Sequence, residues 1–370
     1  MASIGVIFGR ATMGGPRLLY MPFALSTIKK LILEGHAIDL YLCERENDDY
    51  KEIFNDQVQV YFLDNSWAWK WGRGRGLYYL LNFLTIRLTL FKSYSSIWGV
   101  GLVGSSLAGR IASLKGADYY YLSDEFPDIN YLRIWINAEK RYARLAKRWI
   151  VPDESRVDIT MQQIKGISLE NAVVLPNAPL LESLAETVDT NWNSQLNIPL
   201  DSSIVLYAGG IDRENNIELI LSVFPLTSSE YYLIMVGNSK GYATNPLYKH
   251  KRIVWIESPL SDEELVSLHQ SSLCIIAFYS SMMWLEYVGK SSGKIMRAII
   301  AGCPIITTDF PSLHFIKDFG FGVLIQQAHE LILALNEVKA NRSYYQENLI
   351  AHRDKVSFEK YWEIAKLLKE

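Results

Sequence analysis

The stretch Ile204-Val205-Leu206-Tyr207-Ala208-Gly209-Gly210-Ile211 decides the fold. An unbroken apolar run ends on two glycines. Such a run reads as a strand buried on both faces, as in a parallel sheet. The helical pattern Ile217–Phe224 follows, and then a second apolar run, Tyr232–Val236. Strand, glycine turn, helix and strand make one β-α-β unit. Downstream the strand pattern returns at Ile253–Ile256, Leu273–Phe278, Pro304–Thr308 and Gly322–Ile325. Upstream it appears at Ile4–Phe8, Ala37–Cys43, Val58–Leu63, Ile97–Leu102, Tyr119–Leu122, Trp149–Pro152 and Val173–Pro176. Helical patterns at Ser26–Glu34, Ala138–Lys147, Ser261–Ser271 and Lys294–Ala301 separate several of these runs. The alternation predicts an α/β protein with doubly wound sheets.

The chain has 370 residues, a length that suits about two domains. Asn177–Ser203 carries Pro179, Pro199 and the polar tract Asp189–Asn197, a poor strand or core helix. The expected division is therefore a first domain over 1–177, a linker over 178–202 and a second domain over 203–350. An amphipathic C-terminal helix over 351–370 is expected to return to the first domain. Ser261-Asp262-Glu263-Glu264 reads as a capping box, with a hydroxyl cap and a carboxylate three residues on.

Hydrophobic residues make up 49% and charged residues 21%, which excludes a disordered chain. A net charge of −3 gives no global field for nucleic acid, and none is expected as a partner. No signal-peptide pattern is seen, since Ile4–Phe8 is too short and has no basic lead. Cys43, Cys274 and Cys303 each lie in or beside an apolar run, as reduced buried thiols do. The expectation is a cytoplasmic protein. The most apolar stretch, Leu77–Phe91, is broken by Asn82 and Arg87 and makes no membrane span.

In doubly wound sheets ligands sit at the carboxyl ends of strands, where helix N-termini favour anions. Three loops there are glycine-rich. The first is Gly9 to Arg17, with Gly14 and Gly15 permitting close backbone approach and Arg10 and Arg17 offering charge. The second is Ala208 to Asn216, with Gly209, Gly210 and Arg213. The third is Ser291-Ser292-Gly293-Lys294, where two hydroxyls, a glycine and an ammonium meet a helix start. That last group suits a diphosphate. No convincing metal-ligand set stands out, and Asp48-Asp49 reads as a solvated loop.

These motifs, in order, resemble the nucleotide-sugar domain of GT-B glycosyltransferases, and family 4 most closely. Val174-Leu175-Pro176-Asn177-Ala178 resembles the entry to the linker. Leu206 to Ile211 with Ile217-Glu218-Leu219 resembles the first glycine turn, and Leu233–Gly237 the second strand. Ile253–Leu265 resembles the segment beside the base, which brings in Ser258 and Leu260. Ser292-Gly293-Lys294 through Gly302-Cys303-Pro304-Ile305-Ile306 resembles the phosphate helix. In the first half, Gly14 to Arg17, Gly35 to Ile38 and Trp149–Arg156 match more loosely.

The resemblance implies two Rossmann-like domains facing a cleft, a GT-B architecture. It implies a glycosyltransferase that moves a sugar from a nucleotide-diphosphate sugar to a glycan, lipid-linked or small-molecule acceptor. Transfer would need no metal and no cofactor, and would retain the anomeric configuration. Lys294 becomes the leading diphosphate ligand, with Arg213 a displaced second. Asp124 and Glu125 stand where the family has its acceptor-domain His-Glu, so a histidine role is not carried over. The family's paired glutamates fall at Gly289 and Arg297, which puts ordinary ribose recognition by Arg297 in question. Glu286 is a candidate replacement carboxylate. Two alternatives fit the same motifs: another GT-B chemistry, as in an epimerase or phosphorylase, and a non-catalytic partner of another glycosyltransferase.

One compositional feature lies outside these motifs. From Asn65 to Ala117 there is no Asp or Glu, while Lys70, Arg73, Arg75, Arg87, Lys92, Arg110 and Lys115 are basic. Trp67, Trp69, Trp71, Tyr78, Tyr79 and Phe91 fall in the same stretch. Either a buried helix with a polar lead, or peripheral contact with the inner face of the cell membrane through Trp67–Phe91, gives this composition.

Overall fold

The computed structural model describes residues 2–9, 18, 21–43, 49–54, 57–63, 75–123, 133–184, 190–211, 215–258, 260–281 and 285–367. The chain divides into two compact units, Met1–Leu175 and Pro176–Glu370.

The first unit holds β1 (Ser3–Phe8), β2 (Ala37–Leu42), β3 (Val58–Phe62), β4 (Ser96–Val100), β5 (Asp118–Leu122), β6 (Arg148–Val151) and β7 (Ala172–Val174). They form one sheet in the order β3-β2-β1-β4-β5-β6-β7. Its pairings are parallel, with Ile4 of β1 opposite both Ile38 and Ser96. The second unit holds β8 (Ser203–Ala208), β9 (Tyr231–Val236), β10 (Ile253–Ile256), β11 (Cys274–Ala277), β12 (Ile305–Thr308) and β13 (Gly322–Ile325). Their order, β10-β9-β8-β11-β12-β13, repeats the first six positions of the other sheet, again in parallel. Both are doubly wound Rossmann-like sheets, as expected. In each the strand order reverses beside the first strand, at β1/β4 and at β8/β11, and Rossmann folds bind ligands at such a point.

Several segments depart from the sequence reading, and Asp49, expected in a solvated loop, opens the helix Asp49–Phe54. The run Ile97–Leu102 stops as a strand at Val100 and becomes a helix, Gly101–Lys115, that the periodicity did not suggest. Its inner positions are small: Gly104, Ser105, Ser106, Ala108 and Gly109 are all buried. The glycines are poor helix formers, but all five small residues allow close packing on the sheet. A Cβ on Gly104 would stand 2.4 Å from the Ile7 carbonyl oxygen. Packing therefore overrides propensity here. The polar tract Asp189–Asn197 holds a one-turn helix, Trp192–Gln195, capped by Asn191. Trp192 is buried and its Nε1 donates to Ser267 Oγ at 3.1 Å. One indole anchors a segment whose average composition is polar.

The second core is built on Val205, Tyr207, Phe224, Leu233, Met235, Ile276 and Leu335. Cys274 and Cys303 are buried in this unit, and burial raises both thiols, Cys303 to about 12. They are packing residues, as expected. The capping box forms, with Glu264 N donating to Ser261 Oγ at 3.1 Å and Ser261 N to Glu264 Oε2 at 2.8 Å. Arg252, at the start of β10, is buried and turns its guanidinium into the chain between Pro225 and Tyr231.

His269, on the helix Asp262–Ser271, is buried and bonds through Nδ1 to the Leu265 carbonyl at 2.6 Å. Burial holds its pKa down to about 4, against the Leu265 bond, and the Arg297 charge adds to the lowering. The unfolded chain therefore binds this proton between about pH 6.5 and 4 while the folded chain does not. His269 contributes full stability above pH 6.5, and that contribution is lost as pH falls toward 4. The expected loss is about 3 kcal/mol. Urea unfolding followed across this window should show the slope, and His269→Leu should flatten it.

Candidate anion site of the second unit

β8 ends on Ala208, and Gly209 leaves it with φ +139°, a conformation that favours glycine. A Cβ on Gly237, at the end of β9, would lie 2.6 Å from the Gly209 carbonyl oxygen. The two strand ends are thus held in close register. Gly209 and Gly210 are both exposed. Asn216, in the left-handed region at φ 51°, starts the helix Ile217–Val223.

The helix Gly293–Ala301 begins beside this turn. Ser292 caps it, with Oγ accepting from Ile295 N at 3.2 Å, and Gly302 closes it in the left-handed conformation. Its first N–H groups carry the positive end of the helix dipole. Lys294, in the first turn, reaches back to β8. Its Nζ donates to Asn215 Oδ1 at 2.9 Å and to Tyr207 Oη at 3.1 Å. The ammonium lies 4.7 Å from the Tyr207 ring centroid and 5.0 Å from that of Tyr279. Tyr279 follows β11 and bonds through its hydroxyl to Ser292 Oγ. Burial raises the Tyr279 phenol well above its usual value, against the Ser292 bond, so it stays neutral. Tyr207 Oη in turn donates to the Gly210 carbonyl at 2.5 Å. Two phenols and one carboxamide therefore position a cation at the β8/β11 reversal. Such a cation, beside a helix N-terminus, suits a phosphate or diphosphate.

The loop before this helix is fastened to the start of the second unit. Asn177 N donates to the Lys290 carbonyl and Asn177 Nδ2 to the Ser291 carbonyl, both at 2.9 Å. Ser291 Oγ donates to the Val288 carbonyl. Asn177→Ala removes one of these ties, worth about 1 kcal/mol. Hydrogen exchange at the amides of 290–294 should then rise several-fold, with β8 unchanged.

Of the expected site residues, Gly209, Gly210, Ser291, Ser292, Gly293 and Lys294 come together here. Ser258 and Leu260 follow β10, the edge strand two places from β8, with Ser258 exposed and Leu260 half-buried. Glu286 is exposed on the turn Leu285–Tyr287, and its carbonyl accepts from Ser312 Oγ at 2.7 Å. Arg297 lies one turn along from Lys294, half-buried, where its charge reaches His269. Gly289 is buried with φ +36°, so a glutamate there would be strained. Gly14, Gly15, Asp124, Glu125 and Arg213 lie outside the described residues. Sequence reasoning missed Tyr207, Asn215 and Tyr279. Tyr207 reads as part of the apolar run Ile204–Ala208 and Tyr279 falls just past the run Leu273–Phe278, although a buried phenol usually finds a hydrogen-bond partner. Asn215, in the second glycine-rich loop, accepts from Lys294. Among the described residues no cluster of His, Cys, Asp and Glu is arranged to hold a metal ion.

No protein-family model matches the sequence, and no curated protein matches it. Solved structures do. The chain superposes on HepE of Anabaena, solved with UDP-glucose, over 100% of both chains with a TM-score of 0.73 and 12% identity. It is similar to the sucrose-phosphate synthase of Thermosynechococcus elongatus over 100% of this chain and 98% of that one, with a TM-score of 0.70 and 15% identity. It also matches WaaG, a glycosyltransferase involved in lipopolysaccharide biosynthesis, over 99% of both chains with a TM-score of 0.69 and 12% identity. These likenesses show the fold, two Rossmann-like units of the GT-B class.

Proposed function

We propose that the protein is a glycosyltransferase that takes its sugar from a nucleotide-diphosphate donor. The observation that carries this is Lys294, held by Tyr207 and Asn215 beside a helix N-terminus at the β8/β11 reversal. The UDP-glucose bound to the structurally similar HepE supports it. In the reaction the bond from the anomeric carbon to the diphosphate oxygen breaks. Positive charge grows on the sugar and negative charge on the leaving diphosphate. The Lys294 ammonium and the first N–H groups of the helix meet that negative charge, which lowers the barrier electrostatically. The acceptor hydroxyl forms the new glycosidic bond and gives up its proton to the oxygen of the leaving diphosphate. The lysine supplies the cation, so the step needs no metal. Arg213 is assigned a second diphosphate contact and Arg297 a contact to the donor in place of the family's glutamate. Ser258 and Leu260 are assigned to the base, and Glu286 to the sugar.

The acceptor is assigned to the first unit, with Asp124 and Glu125 as its polar contacts and a glycan, a lipid-linked sugar or a small molecule as its class. The working place is the cytoplasm, and the anomeric configuration is retained. Calorimetric titration with UDP, UDP-glucose and a panel of other sugar nucleotides tests the donor assignment; binding of none overturns it. Product analysis with the donor that binds separates transfer from an isomerised donor or phosphate-dependent cleavage.

A further inference from the structure

The helix Arg75–Thr89 of the first unit packs Leu80, Leu81, Leu84 and Ile86 on the core and leaves aromatic side chains exposed on another face. Its inward face carries Leu81, Asn82, Thr85 and Thr89, all buried. The two threonines satisfy their hydroxyls on their own helix, Thr85 Oγ1 to the Leu81 carbonyl at 2.7 Å and Thr89 Oγ1 to the Thr85 carbonyl at 2.8 Å. Its outward face carries Tyr79 and Phe83, each 62% exposed, and Arg87. At 3.6 residues per turn these three outward residues fall within about 80° of arc, and the inward set lies opposite. The closing turn adds Leu90, 57% exposed, and Phe91, 95% exposed. The helix Gly101–Lys115 meets this turn, since Lys115 Nζ donates to the Leu90 and Lys92 carbonyls at 3.4 and 2.7 Å. The helix Arg75–Thr89 and its closing turn thus bury Asn82, Thr85 and Thr89 while Tyr79, Phe83, Leu90 and Phe91 stay exposed, an apolar surface of the sort that marks an interaction site.

We propose that this face docks on an anionic lipid bilayer. Charge selects the occupant. No acidic residue occurs from Asn65 to Ala117, and the helices Arg75–Thr89 and Gly101–Lys115 carry Arg87, Arg110 and Lys115. Lys92 is the exception, since it is paired with Asp39 at 2.8 Å and serves as a tether between the turn and β2. A second copy of the chain would bring the same cations against themselves in a two-fold contact, which disfavours that occupant. Aromatic and leucine side chains ringed by arginine and lysine suit the boundary between headgroups and acyl chains. Among the described residues no helix is long and apolar enough to cross a membrane, so the contact is a surface one. The proposal stands on the first unit alone and does not depend on what the second unit binds.

The test is co-sedimentation of the full chain with vesicles of phosphatidylcholine alone and of phosphatidylcholine mixed with phosphatidylglycerol. The intact chain is expected to bind the anionic vesicles and to bind the neutral ones far less. Phe83→Ser with Phe91→Ser should lower the partition onto anionic vesicles roughly tenfold or more. Both side chains are exposed, so the variant's thermal unfolding should be unchanged. Arg87→Glu should weaken binding to the anionic vesicles only. Failure of the intact chain to bind anionic vesicles overturns the proposal, as does equal binding by the double serine variant. Concentration-dependent dimerisation that the same variant abolishes, without vesicle binding, would assign the face to a second copy and overturn it as well.

Discussion

Lys294→Met is expected to lower glycosyl transfer by about 10²–10³-fold, the usual effect of removing one charged group that stabilises developing negative charge. The methionine keeps the aliphatic reach across Gly209 and loses the ammonium. Tyr207 Oη and Asn215 Oδ1 lose their donor. Tyr207 is buried but keeps its own bond to the Gly210 carbonyl, and Asn215 is half-buried and within reach of water, so the fold should survive. Stopped-time assays with the donor that binds, alongside calorimetry for that donor and for the free nucleoside diphosphate, provide the measurement. A parallel loss for both ligands locates the effect on the diphosphate. Unchanged transfer in a folded Lys294→Met variant would remove the lysine from the mechanism. Lys294→Arg is a sharper control. A planar fork cannot reproduce a compact ammonium placed over two phenol rings, so arginine should restore only part of the rate.

Arg252→Ala should destabilise the second unit by about 3 kcal/mol or more. The buried guanidinium donates through Nη1 to Thr227 Oγ1 at 3.2 Å and to the Ser228 and Tyr231 carbonyls at 2.6 and 3.1 Å. Through Nη2 it donates to the Pro225 and Thr227 carbonyls at 3.0 and 3.1 Å. These carbonyls belong to the chain that carries the helix Ile217–Val223 back into β9, and the Ser228 carbonyl accepts from Tyr231 N as well, at 3.2 Å. Removing the side chain takes five charge-assisted bonds from this turn at once, which costs more than a single neutral bond. Lysine offers one donor centre in place of a fork and should recover only a fraction. A chain of two units need not unfold in one step. Hydrogen exchange of the β9 and β10 amides is therefore the direct readout. Unchanged protection there in Arg252→Ala would show that the loop holds itself.

The strands of both units were legible because each is a short, mostly apolar run, and several are ended by glycine or proline, as β1 is by Gly9, β6 by Pro152 and β8 by Gly209. That pattern follows from burial on both faces and needs no tertiary information. The helix Gly101–Lys115 was not legible, because its fitness lies in what its small residues avoid touching. Only the neighbouring Ile7 carbonyl and Tyr142 side chain explain Gly104 and Gly109. The same distinction holds at the anion site. Ser292, Gly293 and Lys294 are adjacent in sequence and could be read as a group. Their supports, Tyr207, Asn215 and Tyr279, come from three other segments that only the sheet order brings together. The inward Thr85 and Thr89 are a third case. A hydroxyl that bonds to its own helix leaves no mark in hydropathy, so the sequence alone left open which face of Arg75–Thr89 was buried.

The strand order of the first unit also constrains how it forms. β1 is paired on one side by β2, which follows within 37 residues of the start, but its other side waits for Ser96 of β4. As the chain leaves the ribosome, β1 is made before β4, and one edge stays open until the helices Pro22–Leu33, Asp49–Phe54 and Arg75–Thr89 have emerged. An open edge on an apolar strand invites pairing with other chains. Closing a loop of that length also slows the search. Yield on expression should therefore depend more on the rate of synthesis through β4 than on the final stability of the unit.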